Sequence, residues 1–114
     1  MINKIKSSSI KPEPAIREFT ENIQRLYGKN IEKIVLFGSR ARGDAGEDSD
    51  IDILVITKTN NKDLKNGITD LAFDIILKYG IDIEPVIFDM SEWSRLTKNP
   101  TSFTYSILVE GKNL

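Results

Sequence analysis

Two short apolar runs, "EKIVLFG" at 32–38 and "SDIDILVIT" at 49–57, flank a segment rich in Gly, Ser, Arg and Asp. This pairing constrains the fold more than any other feature. Both runs have the length and β-branched content of buried strands. Strands joined by a connection of about ten residues can pair in antiparallel fashion. The stretch "ILVI" at 53–56 is continuously apolar, as expected of a central strand covered on both faces. Ahead of it, alternation sends Asp50 and Asp52 to one side and Ile51 and Ile53 to the other.

The surrounding periodicity supplies the other elements. Residues 1–12 are predicted to be a flexible polar lead-in, and 13–114 the domain proper. Ile16, Phe19, Ile23 and Leu26 recur at helical spacing between the prolines near 12–14 and Gly28. "NNKD" at 60–63 offers capping chemistry for a second helix marked by Leu64, Ile68, Leu71 and Ile75 and stopped by Gly80. Gly67 inside that helix costs about 1 kcal/mol relative to alanine. "IDIEPVIF" at 81–88 is a third strand with Asp82 and Glu84 on one face, and Pro85 places it at an edge or an irregularity. Ser91 is expected to cap a short helix carrying Trp93 and Leu96, and Phe103, Ile107 and Leu108 mark a last helix ending at Gly111. The expected fold class is α+β, a small mixed β-sheet with helices packed mainly on one face.

Composition narrows the chemistry. Cysteine and histidine are both absent from the 114 residues, which excludes disulfides, thiolate nucleophiles, His-based triads and ordinary zinc or haem ligation. A bound metal must then take oxygen ligands, which suits magnesium, manganese or calcium. A net charge of −1 gives no strong DNA-binding signal. No apolar run reaches the roughly 18 residues of a membrane-spanning helix. The N-terminal stretch is a poor signal peptide, so the expected location is cytoplasmic, without a membrane partner.

Two aspartates alternating on a strand lie only ~7 Å apart on one face and can bind divalent cations between them. Without a cation, each raises the other's pKa. Gly38-Ser39 closes the preceding strand, where a glycine allows backbone amides to approach an anion and Ser39 adds a hydroxyl. Arg40 and Arg42 can pair with phosphate oxygens. A calcium loop at "DSDID" fails, because Ile53 stands where its glycine belongs and Thr59 where its glutamate belongs. The Walker A and Rossmann glycine patterns are absent.

Gly38-Ser39 followed by Asp50-Ile51-Asp52, with a strand on each side, resembles the signature of the DNA polymerase β-type nucleotidyltransferase superfamily. "FGSRARGDAGEDSDIDILV" is most similar to its minimal nucleotidyltransferases, small proteins often encoded beside a HEPN-domain toxin. The similarity extends over roughly residues 16–111. It implies that Gly38 and Ser39, with Arg40 and Arg42, hold the triphosphate of ATP, and that Asp50 and Asp52 ligate two magnesium ions, manganese being the alternative. It also implies a third acid on the neighbouring strand. Glu84 is favoured there for its depth in the strand, and Asp82, flanked by isoleucines, is the alternative. Asp48 falls outside the matched positions and is assigned to the loop, with Ser49 capping the turn into the strand. The implied reaction transfers AMP to a hydroxyl, expected to be a tyrosine of a HEPN toxin. The alternative is a non-catalytic, nucleotide-binding antitoxin subunit that neutralises its partner by contact. Trp93, Phe103, Tyr105 and Ile107 are read first as packing residues, and Lys58, Lys62 and Lys65 as a solvated face.

Overall fold

The computed structural model describes residues 11–43, 46 and 50–114, so most of the lead-in, Asp48 and Ser49 lie outside the described residues. Helix α1 runs Glu13–Tyr27, β1 Ile31–Phe37, a short α2 Ser39–Arg42 and β2 Ile51–Thr57. Then come α3 Lys62–Tyr79, β3 Ile83–Asp89, α4 Met90–Lys98, α5 Ser102–Glu110 and a two-residue β4, Lys112–Asn113. The sheet order is β3-β2-β1-β4. β1 and β2 are antiparallel, β2 and β3 are parallel across the α3 crossover, and β4 is antiparallel to β1. This is the mixed α+β sheet expected. Pro85 lies on β3, an edge strand, where its missing N–H can face away from the ladder. The edge strand β4 was not anticipated, since two polar residues carry no strand pattern.

Strand alternation assigns each face its helices. Leu36, Ile51, Ile53, Val55 and Ile83 meet the apolar stripes of α1 (Ala15, Phe19, Ile23) and α3 (Leu64, Ile68, Ala72, Ile75). Each fully buried side chain of this kind contributes about 1.5–3 kcal/mol. The opposite face presents Val35, Phe37, Leu54 and Ile56 to Ile107 of α5 and to the partly buried Trp93 of α4. The two longer helices, of 15 and 18 residues, therefore cover one face, and the two nine-residue helices cover the other. β2 is buried on both, as its unbroken apolar run predicts.

The helix ends follow local chemistry, with one correction. Asn61 caps α3 by accepting from the Leu64 amide at 3.1 Å. The cap of α4 is Asp89 rather than Ser91: its Oδ1 accepts from the Glu92 amide at 2.8 Å, and the Asp89 amide donates to Glu92 Oε1 at 2.9 Å. β3 passes into α4 without a loop, so the capping residue is the last of the strand.

Helices α1 and α3 are joined at both ends of their contact. Glu18 Oε1 accepts from Lys78 Nζ and from the Tyr79 hydroxyl, each at 2.8 Å. The hydrogen bond from Lys78, then that from Tyr79, lowers the pKa of Glu18; the bond to Glu18 raises both partners. Further along, the Tyr27 hydroxyl occupies the space a Cβ on Gly67 would need.

Two tests follow from this contact. The Glu18 bonds stabilise the fold above the ordinary glutamate value of 4.5 and are lost as pH falls through the lowered folded value. At the alkaline end the Tyr79 bond persists below the ordinary value of 10.0 and is lost as pH rises through its raised one. The stability difference between wild type and Glu18→Gln, measured by urea unfolding across pH, is expected to be largest between those limits; a pH-independent difference would contradict the assignment. Gly67→Ala is expected to destabilise by about 1 kcal/mol, because overpacking against Tyr27 outweighs the gain in helix propensity. A rise in the urea midpoint would show that Tyr27 moves aside without cost.

Candidate active site

β1 and β2 stay in register from Lys33↔Ile56 to Phe37↔Asp52, so the end of β1 lies beside the start of β2. Gly38 follows immediately, with φ 78° and ψ −159°, and N-caps α2. An L side chain there is strained, and its Cβ would also collide with Asp52 Oδ2. Glycine is thus required both by the turn into α2 and by the carboxylate packed against it. The carbonyl of Gly38 accepts from the amides of Ala41 and Arg42, both at 3.1 Å, and Ser39 occupies the first turn, which has no side-chain cap. The sequence predicts a loop over 38–49, and this four-residue helix was missed because it is too short to display a period.

The parallel register sets Asp52 beside Glu84, and the Ile51 amide donates to the Asp82 carbonyl at 2.9 Å. Alternation then turns Asp50, Asp52, Asp82 and Glu84 to the same face as Leu54 and Val86. Carboxylate oxygens of Asp50, Asp82 and Glu84 all come within 4.8 Å of one another, and all three residues are exposed. Asp52 is half-buried against Gly38. The sequence left Asp82 and Glu84 as alternatives; the fold brings both to Asp50, because Asp82, just ahead of β3, and Glu84, within it, share one face beside it.

The electrostatics fit a site short of positive charge. The Asp82 carboxylate accepts a hydrogen bond from the protonated form of Glu84 and so raises its pKa, assisted by desolvation and by the charges of Asp82, Asp50 and Asp52. Burial raises Asp52, Asp50 adds to it, and Arg42 opposes the rise. An all-oxygen donor set held this close, with like charge crowded around Glu84 and Asp52, fits a hard divalent cation.

The two arginines diverge. Arg42 Nη1 lies 3.5 Å from Glu110 Oε1, which ties α2 to α5, and its charge reaches Asp52. Arg40 instead lines a cleft with Ile16 and Leu36 on the α1 side of the sheet. Positions two apart on a helix project in nearly opposite directions, which strand-and-loop reasoning could not foresee. Phe37 and Phe103 meet edge-on at 5.8 Å, and Phe88 and Trp93 stack at 6.2 Å, whereas Tyr105, expected to pack, is exposed on α5.

Comparison with known proteins adds to this geometry. The family model described as "Nucleotidyltransferase domain" matches residues 16–112. A protein of Methanocaldococcus jannaschii named "Putative protein adenylyltransferase MJ0604" is 37% identical over 102 residues, spanning 90% of this chain and 96% of that protein. A solved structure described as "putative minimal nucleotidyltransferase" is 24% identical and superposes with a TM-score of 0.57, covering 89% of this chain and 94% of that one. A crystal structure of a toxin–antitoxin with AMP-PNP is 23% identical, with a TM-score of 0.56 and coverage of 83% and 68%. At these identities the two structural likenesses concern the fold alone.

Crowding of like charges costs stability when no cation is present. Glu84→Gln keeps the shape and a hydrogen bond to Asp82 while removing one charge. In metal-free buffer it is expected to raise Tm by about 2–5 °C, read by thermal denaturation. A lower Tm would show that the carboxylates do not repel in this way.

Proposed function

The chain belongs to the nucleotidyltransferase domain family, and from that premise we propose that it transfers AMP from ATP to a hydroxyl of a partner protein, the bond between the α- and β-phosphates breaking to release pyrophosphate. The observation that carries the reading is the contact of the Gly38-Ser39 turn with Asp52, at one end of a sheet where Asp50, Asp82 and Glu84 converge. A phosphate chain on the turn would then lie within reach of the acids. Asp50, Asp52 and Glu84 are the residues we assign to two magnesium ions. Bound magnesium, or manganese in its place, would supply positive charge to the triphosphate and lower the pKa of the attacking hydroxyl.

The chain's own residues divide the remaining work. Ser39 offers a hydroxyl and Gly38 a close backbone approach to phosphate oxygens. Arg42 adds charge beside them. Glu84 accepts the proton of the attacking hydroxyl, and Asp82, hydrogen-bonded to it, orients its carboxyl group. For the acceptor, we propose a tyrosine of a HEPN-domain toxin, which the protein would silence as its antitoxin. The name of the Methanocaldococcus jannaschii relative supports protein adenylylation as the reaction class, and the toxin–antitoxin complex with AMP-PNP suggests the partner to try first.

The test is incubation with magnesium, ATP labelled at the α-phosphate and a HEPN protein encoded beside the gene. Label is expected on the partner, with transfer falling on the order of 100-fold in both Asp50→Asn and Asp52→Asn. Glu84→Gln is expected to lower transfer more than Asp82→Asn; the reverse order would move the third-acid role to Asp82. Neutralisation of the toxin that survives the aspartate changes, with no label transferred, would sink the catalytic reading in favour of a subunit that acts by contact.

A further inference from the structure

On the far side of the sheet from the acids, a cleft of about 500 Å³ opens between α1 and the β1–β4 edge. Its apolar walls include Ile16, Leu36 and Leu114, and Arg17, Arg40 and Lys112 also line it. Elsewhere the cations of Lys65 and Lys78 meet carboxylates. The side chains of Arg17 and Lys112, by contrast, make no ion pair or hydrogen bond to another described residue. They come from α1 and β4, elements far apart in sequence, so the fold gathers this charge around an apolar floor. The volume is that of a small-molecule site, and such sites join apolar walls to a few placed polar groups.

We infer that this cleft binds a small amphipathic anion, its apolar body against Ile16, Leu36 and Leu114 and its phosphate or carboxylate head at Arg17, Arg40 and Lys112. Glu13 and Glu21 also line the cleft, one helical turn to either side of Arg17. They offset much of that positive charge, which suits a single head group and disfavours a polyphosphate. Guanidinium groups also accept a flat apolar body against their faces, so an aromatic ligand gains twice from Arg17 and Arg40. The site uses the side of α2 opposite Arg42 and stands apart from the reading of the acidic face.

The test uses the full chain, free of metal, with amide NMR shifts as the readout. Phenyl phosphate and benzoate share a body and differ in head; inorganic phosphate is the head alone and benzyl alcohol the body alone. Saturable shifts at α1 and β4 amides are expected with one or both anions, and the tighter of the two identifies the head. Removing both free cations in Arg17→Ala/Lys112→Ala is expected to weaken that binding about tenfold or more, and head or body alone to bind about tenfold more weakly. Asp50→Asn is expected to leave the shifts unchanged. The inference is overturned if neither anion saturates below about 10 mM, if benzyl alcohol binds as tightly as the anions, or if the shifts centre on Ser39, Asp52 and Glu84.

Discussion

The uninterrupted pairing of β1 with β2 near its end, Leu36↔Ile53 and Phe37↔Asp52, is the constraint on which the rest depends. It brings a glycine turn against a carboxylate across adjacent strands. A slip of one residue would turn Asp52 towards α1 and α3, and Ile53 out of their core. The register is secured where it matters most, because β2 is buried on both faces and every residue from Ile53 to Ile56 has its own apolar neighbours. Core packing and site geometry are therefore one requirement.

The face that carries the acids is also the one covered by the shorter helices. Phe103 packs edge-on against Phe37, Asp52's cross-strand partner, and Ile107 enters the core of that face. The ion pairs Arg42–Glu110 and Lys65–Glu92 both measure 3.5 Å and are partly exposed. Pairs of this kind contribute only about 0–1 kcal/mol, so they orient α5 and α4 more than they hold them. The placement of α5 near the site rests on its apolar contacts, and Arg42 gains a fixed position from which its charge reaches Asp52.

Much of this was legible in the sequence because the long elements repeat their apolar residues at one period. Helices α1 and α3, strand β2 and the edge position of β3 follow from that pattern and from Pro85. The glycine turn and the paired aspartates were also recognisable, as residue types whose spacing brackets two strands. What the sequence concealed is tertiary. Helix α2 is a single turn, β4 exists only because β1 offers it an edge, and Asp89 caps α4 because no loop intervenes. The opposed directions of Arg40 and Arg42 depend on α2 being helical. The convergence of Asp82 and Glu84 on Asp50 depends on parallel pairing, which no local pattern encodes.

Placing four acids at the mouth of a dry strand has a consequence for how strongly they act. Ile51, Ile53, Leu54 and Val55 are fully excluded from solvent directly behind Asp50 and Asp52. Asp52, half-buried at this boundary, is screened less than on an open surface, so the repulsion it feels from Asp50 is larger. The same apolar strand that stabilises the fold thus amplifies the field at its end. Gly38 completes the effect by letting Asp52 sit close to the backbone, where burial raises its pKa. Stability and the crowding of negative charge are set against each other here by the same few residues.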